Sequence, residues 1–184
     1  MSADVETLVE MLSLKDDDTR YNAFLEMLKI TEEKVEWFDQ YKKIFLDKLS
    51  DENSYQRSIG AMLLCNLAKN DKRHEFVAIL KKLMPLIDDE KFITQRQYLQ
   101  NIWKVAILDK EYRDKIINQL EKEFKSCTTK KHYNLIRLDI ISSMIQIMNH
   151  EEKESVRNIV GEMINYETDE KSKKKYIKMI EGKL

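Results

Sequence analysis

The chain has 184 residues, of which 42% are hydrophobic and 35% are charged, and its 32 basic and 33 acidic side chains leave a net charge of −1. This length suits one domain with a substantial core, and the composition is that of a soluble globular protein rather than a disordered or membrane-embedded one. The balanced charge provides no overall field that would attract nucleic acid or anionic lipid.

The pattern of the chain predicts helices in consecutive pairs. Three glycines and one proline are few for a chain of this length. Because turns and sheets commonly contain these residues, their scarcity favours helices joined by short polar connections. Apolar residues spaced three and four apart indicate ten helices, and within each pair we call the first helix A and the second B. In chain order, they are expected at 3–14, 18–30, 34–49, 54–69, 72–88, 91–108, 111–126, 132–149, 151–166 and 170–182.

Residues at the predicted breaks support these bounds. Side chains that commonly cap helices occur there, namely Asp16 to Asp18, Thr31, Asn53, Ser54, Asn70, Asp71 and Asp109. Pro85 lies in the last turns of the third A helix. Because proline lacks a backbone N–H, it is expected to kink that helix.

The B helices repeat a pattern built around an arginine. The equivalent positions, separated by 37, 39 and 41 residues, are Arg20, Arg57, Arg96 and Arg137. Three residues after each arginine stand Ala23, Gly60, Leu99 and Ile140, and seven residues after stand Met27, Leu64, Trp103 and Met144. These two positions lie four apart and share one helical face, which is predicted to be the core. Trp103 is therefore expected in the core rather than in an aromatic pocket with Tyr98.

Aspartates precede the first three arginines: Asp16, Asp51 and Asp89. The pattern Asp…Arg-x-x-Ala-x-x-x-Leu, with a period of about 40 residues, resembles the second helix of HEAT repeats. The resemblance implies a right-handed α-α superhelix, or solenoid, of about five HEAT-like helix pairs, with residues 1–184 as a single domain. It also implies that the arginine pairs with the turn aspartate of a neighbouring repeat. We call this series of arginine–aspartate pairs the arginine ladder. The turn before Arg137 lacks an aspartate, and a degenerate fifth copy has Lys175 in place of arginine. At these two places the sequence does not decide whether the pairs form.

No pattern in the sequence predicts a catalytic, cofactor-binding or metal site. His74, His132 and His150 are scattered without metal-ligand spacing, and there is no P-loop, GxSxG or dinucleotide fingerprint. Cys65 is expected to be buried and inert. Cys127, in a turn flanked by lysines, is expected to be more exposed and more reactive. Two isolated cysteines indicate a reduced, cytoplasmic protein, and no stretch is apolar enough for a secretion signal or membrane span.

One side of the B helices is depleted in charge. Positions one, five and nine after each arginine fall opposite the predicted core, and among these twelve residues only Lys29 is charged. The resemblance places the B helices on the concave side of a solenoid. Neutral strips able to hydrogen-bond are typical of interface cores. The alternative interpretation is that the B helices are more buried than a helical wheel assumes. The residues predicted to bind a partner are Tyr21, Ser58, Met62, Asn66, Gln97, Asn101, Ser142 and Gln146.

The sequence thus favours a non-catalytic scaffold that holds a protein or peptide partner along the concave B-helix face, without a cofactor and without binding nucleic acid or membrane. One alternative is an enzyme of the HEAT-like alkylpurine DNA glycosylase type, which would need a basic channel, stacking aromatics and a catalytic acid. The strip offers one lysine, and Asp139 is the only acid that borders it. Another alternative is a homo-oligomeric structural protein that associates through the same strip.

Overall fold

The computed structural model describes residues 4–71, 76–151 and 154–182. All regular secondary structure in these ranges is helical, which confirms the predicted all-α class. The α-helices are α1 (Val5–Met11), α2 (Asp17–Ile30), α3 (Phe38–Lys48), α4 (Ser54–Leu67), α5 (Phe76–Leu83), α6 (Phe92–Asn101), α7 (Trp103–Ala106), α8 (Lys110–Ser126), α9 (Tyr133–Glu151), α10 (Glu154–Tyr166) and α11 (Glu170–Ile180). Short 3₁₀ turns follow α4, α5 and α8, at Ala68–Asn70, Met84–Asp88 and Cys127–Thr129.

The observed helices follow the predicted ones closely because their capping residues act where expected. The side chains of Asp16, Asn53 and Asp109 accept hydrogen bonds from backbone N–H groups of the first turns of α2, α4 and α8, at 2.7–2.9 Å. These bonds satisfy donors that have no partner inside the helix. The predicted helix starts at residues 3 and 72, together with His74, lie outside the described residues.

Pro85 changes the helix type at the predicted place. The α-helix ends at Leu83, and the chain continues as the 3₁₀ turn Met84–Asp88 with Pro85 in its first positions. A proline here removes an α-helical donor, whereas the start of a 3₁₀ turn requires none. The third A helix is therefore α-helical only in its first part.

The chain forms two compact units, Met1–Gln97 and Tyr98–Leu184. In the first unit, α1 packs on α2, α3 packs on α4, and the B helices α2 and α4 contact each other. In the second unit, α9 contacts α7, α8, α10 and α11. The single domain expected for residues 1–184 stays a prediction.

The predicted core positions are buried, with one exception. Ala23, Gly60, Leu99 and Ile140 are all buried, as are Met27, Leu64 and Met144. Trp103 is only half-buried, so its placement in the core was wrong.

A break in the sixth predicted helix explains the position of Trp103. The prediction of one helix over 91–108 is corrected to α6 and α7, which are separated at Ile102. The hydroxyl of Ser143 donates to the carbonyl of Leu99, the acceptor that the Trp103 N–H would take in an unbroken α-helix. Ile102 is fully buried instead, and the indole of Trp103 stacks on His150, with ring centroids 5.5 Å apart.

The arginine ladder is present in part. Arg57 donates to both carboxylate oxygens of Asp89, at 2.7 and 2.8 Å, which is the expected pair with the turn of the next repeat. Arg137 pairs at 3.0 Å with Glu167, in the turn before α11. Between the fourth and fifth repeats, the partner of the arginine is therefore a glutamate. Arg20 departs from the pattern, since it binds Asp17 of its own repeat and the carbonyl of Leu14.

Gly60 permits the close approach of α3 and α4. A Cβ built on Gly60 would lie 2.8 Å from the carbonyl oxygen of Phe45 and 3.0 Å from the Cβ of Lys48.

We expect Gly60→Ala to lower the free energy of unfolding by about 1–3 kcal/mol, because the backbone of α3 must shift. At Gly161, inside α10, such a Cβ would meet no atom within 4 Å apart from the chain neighbours and backbone of its own helix. Gly161→Ala should therefore raise the stability by about 0.5–1 kcal/mol. Urea denaturation of both variants tests these opposite effects on stability. A Gly60→Ala variant more stable than wild type would contradict the close packing of α3 against α4 at this residue.

Candidate functional site

A groove of about 400 Å³ lies in the first unit along the N-terminal halves of the B helices α2, α4 and α6. Four of the eight residues predicted to bind a partner line it: Tyr21, Ser58, Met62 and Gln97. Tyr21 is exposed and the other three are half-buried. Because three helices contribute to one groove, a single bound segment would contact residues that are far apart in the sequence.

Large apolar side chains are exposed around this groove. Tyr21, Tyr55 and Ile93 retain 59%, 66% and 54% of their accessible surface, and each lines the groove from a different helix. Phe24 and Met62 are half-buried between them. Clustered apolar exposure rimmed by polar residues commonly marks an interaction surface.

Two polar groups of the groove, the guanidinium of Arg20 and the hydroxyl of Ser58, are held by contacts within the first unit. Arg20 donates to the carbonyl of Leu14 at 2.9 Å and to Asp17, and its guanidinium lies 5.6 Å from the ring centroid of Tyr55. The Ser58 hydroxyl bonds to Thr94 at 3.1 Å. The guanidinium and the hydroxyl are thus held in place before a ligand binds, which lowers the entropic cost of ordering the site on binding.

Asn66 belongs to the core rather than to the groove. Its side chain is buried, and its amide donates to the hydroxyl of Thr31 at 3.1 Å. The neighbouring Asn70 accepts from the backbone N–H of Val35 at 2.7 Å. Asn66 and Asn70 tie the end of α4 to the chain that follows α2, so Asn66 offers little surface to a partner.

The remaining predicted residues lie in the second unit and do not line this groove. Asn101 is buried and accepts from the ammonium group of Lys104 at 2.8 Å. Ser142 and Gln146 are half-buried on α9. Neither of them lines the cavity of about 590 Å³ at the starts of α9 and α11. For Asn66 and Asn101, the alternative interpretation therefore holds: these positions of the B helices are more buried than the helical wheel assumed.

The helical wheel missed groove residues at the start of the B helices. Asp17, Asp18, Ser54, Tyr55 and Ile93 stand two or three residues before the arginines and line the groove. They lie one turn before the positions used to define the strip, on the same helical face. Extending that face by one turn would have identified them, and it would also have added two acids to a strip that was described as neutral.

Cys127 differs from its prediction. It is fully buried at the start of the 3₁₀ turn after α8, and burial, followed by the nearby Glu123, raises the pKa of its thiol. Lys130, one of the lysines that flank this turn, pairs with Glu123 at 2.7 Å. The exposed, reactive thiol was therefore a wrong prediction, and Cys127 is a small core residue.

Two further properties concern the described residues. No three His, Cys, Asp or Glu side chains in residues 4–71, 76–151 and 154–182 come together in a group that could hold a metal ion. Within the same residues, no helix combines the length and the apolar character that crossing a membrane would require.

Comparisons with known proteins bear on the fold. No protein-family model matches this chain, and no curated protein matches it significantly. One crystal structure of an engineered protein, from the Northeast Structural Genomics Consortium, is similar with a TM-score of 0.63 and 14% identity, covering 97% of this chain and 78% of that one. A second engineered protein from the same consortium has a TM-score of 0.56 and 17% identity, covering 100% of this chain and 88% of that one. At these identities the similarity shows the fold alone, and the fold is all-α.

Proposed function

We propose that this chain is a non-catalytic interaction scaffold that binds a peptide or partner helix in the groove along α2, α4 and α6. We further propose that its helix pairs are HEAT-like repeats of a right-handed solenoid. The recurring arginines, the buried column beside them and the Arg57–Asp89 pair between consecutive repeats support the repeat assignment.

The observation that carries the binding function is the cluster of exposed Tyr21, Tyr55 and Ile93 around one groove. Tyrosine is enriched at protein interfaces because its ring buries a large apolar area while its hydroxyl can still bond to water or to a partner. A few such side chains supply most of the binding energy of an interface when the contacts around them exclude water. A ligand covering these three side chains would gain that energy.

The groove favours a peptide over DNA. A DNA-processing enzyme grips phosphates with several cationic groups, but Asp17 and Asp18 line the groove. Arg20, the cationic residue beside them, already bonds to Asp17 and to the carbonyl of Leu14. The acidic edge would repel a phosphate backbone, which supports the scaffold over the glycosylase-like alternative.

Met62→Glu tests the groove as the binding site. We expect this variant to weaken binding of a peptide selected on the wild-type protein about a hundredfold or more, because the carboxylate would be buried unpaired against an apolar ligand. The fold should survive, since half-buried Met62 lies at the groove surface. The ligand is chosen from a phage-displayed library of random dodecapeptides, and its affinity is measured by fluorescence polarisation.

The matched control is Ile44→Glu, which places the same charge at an exposed apolar residue of α3 outside the groove. Thermal melts of both variants establish that they are folded. Equal loss of affinity in the two variants, or a library without enriched peptides, would count against the proposed function. A wild-type dimer that Met62→Glu converts to a monomer would show instead that a second copy occupies the groove.

A further inference from the structure

The segments that border the groove are rich in acidic residues. The three segments that lead into the B helices, residues 15–20, 51–57 and 88–96, carry eight acidic and five basic side chains. Each segment contributes to the lining of the groove, through Asp17 and Asp18, through Ser54 and Tyr55, and through Ile93. The Arg57–Asp89 pair joins the second segment to the third. The apolar floor of the groove is therefore bordered by an excess of negative charge.

Most of these carboxylates are already engaged. Asp16 accepts from the backbone N–H of Thr19, Asp51 accepts from that of Asn53, and Asp89 binds Arg57. Asp17 is paired with Arg20.

Asp18 differs from these four acids. It is exposed and lines the groove, and within the described part of the chain its side chain makes no hydrogen bond or ion pair. Its carboxylate is available to a ligand.

The available charge lies beside exposed apolar surface. Asp18 is adjacent in sequence to the turn of α2 that carries Arg20 and Tyr21, and the guanidinium of Arg20 lies over the ring of Tyr55. An apolar side chain that contacts Tyr21 and Tyr55 would bring the neighbouring residues of its own chain close to Asp18. Complementary charges at the border of an apolar contact determine which partners bind and in which register.

We propose that the groove selects a peptide segment in which a large apolar side chain is accompanied by a lysine or arginine that pairs with Asp18. This inference rests on the proposed peptide-binding function and specifies its ligand. The apolar anchor covers Tyr21, Tyr55 and Ile93, and the cationic group neutralises the carboxylate at the groove border. A segment with an acidic residue in that place is disfavoured by repulsion.

The test selects dodecapeptides from the same phage-displayed library on the wild-type protein and on Asp18→Lys. We expect peptides enriched on the wild type to carry Lys or Arg near a large apolar residue. On Asp18→Lys, peptides with Asp or Glu at that place should be enriched beside the same type of anchor. Glu10→Lys is the control, because it makes the same charge change at an exposed residue of α1 outside the groove, and it should retain the wild-type preference.

A synthetic peptide from the wild-type selection makes the test quantitative. Asp18→Asn should weaken its binding about two- to fivefold, and replacing the basic residue of the peptide by glutamine should weaken binding of the wild-type protein by a similar factor. In a double-mutant cycle the two losses should not add, since each removes the same pair.

Other outcomes separate the inference from the function on which it rests. Enriched peptides that lack a basic residue, or that bind Asp18→Asn as tightly as wild type, would overturn the charge pairing. If their binding is still lost in Met62→Glu, the groove remains a peptide site and only its specificity is wrong. If no peptide is enriched, the peptide-binding function fails and the inference fails with it.

Discussion

Glu167→Gln should lower the free energy of unfolding by about 3–5 kcal/mol, the usual cost of removing one partner from a buried ion pair. The pair is among the least exposed charges of the described residues, with 3% of the Arg137 side chain and 2% of the Glu167 side chain accessible. In the variant, the charge of Arg137 would stay buried without a counter-ion.

The surroundings of this pair explain why the change should be severe. The guanidinium of Arg137 lies 4.6 Å from the ring centroid of Phe124, and its Nε donates to the carbonyl of the same residue at 2.9 Å. Glu167 also accepts from the backbone N–H groups of Thr168 and Asp169, at 2.9 and 3.0 Å. The pair therefore connects the end of α8, the start of α9 and the turn before α11. Removing the charge would loosen all three at once.

An exposed pair in the same unit provides the comparison. Glu111 and Lys115 form an ion pair on α8 with 61% and 42% of their side chains accessible. Glu111→Gln should change the stability by about 0.5 kcal/mol or less. Urea denaturation of both variants measures the difference. Equal effects would mean that Arg137 finds another partner or reaches water when Glu167 is neutral.

The helices were largely predictable because their signals are local. Asp16, Asn53 and Asp109 cap the helices that follow them by bonds to residues two or three positions away. The apolar spacing of α4 shows in the sequence for the same reason, and the residues predicted as its core are buried. Interactions within one helical turn can be read directly from the sequence.

The departures involve bonds between distant residues. Ser143 and Leu99 are 44 positions apart, and the hydrogen bond between them coincides with the break at Ile102. Asn66 is buried and its amide bonds to Thr31, 35 positions away. A helical wheel gives the direction of a side chain from its own helix, whereas burial also depends on the element packed opposite. The sequence consequently predicted one side of the groove but misplaced Asn66 and Trp103.

Asp89→Asn should lower the free energy of unfolding by about 3 kcal/mol at neutral pH, because it leaves the guanidinium of Arg57 without its bidentate partner. The Asp89 carboxylate accepts from Nε and Nη2 of Arg57, at 2.7 and 2.8 Å, and from the backbone N–H of Lys91 at 2.8 Å. Asparagine keeps the shape of this side chain but can supply only one of the two acceptor oxygens.

The pH dependence distinguishes the charge of Asp89 from its shape. Burial opposes ionisation of Asp89, but the hydrogen bonds from Arg57 and Lys91 outweigh it and hold the pKa of this carboxyl below its usual value of 3.8. A lowered pKa in the folded state adds stability above the unfolded-state pKa, and this stability is lost as the pH falls through the folded-state value. The difference between wild type and Asp89→Asn should therefore be constant from neutral pH down to about pH 5 and narrow below about pH 4.

Glu90→Gln serves as the control for this titration. Glu90 also approaches Arg57, but at 3.6 Å and with 72% of its side chain exposed, so its charge is screened by water. This variant should stay within about 0.5 kcal/mol of wild type from pH 3 to 7. Urea denaturation of the three proteins across this range gives the required curves. A wild-type advantage over Asp89→Asn that stays constant to pH 3 would show that packing and hydrogen-bond geometry, rather than the Asp89 charge, hold the turn before α6 against Arg57.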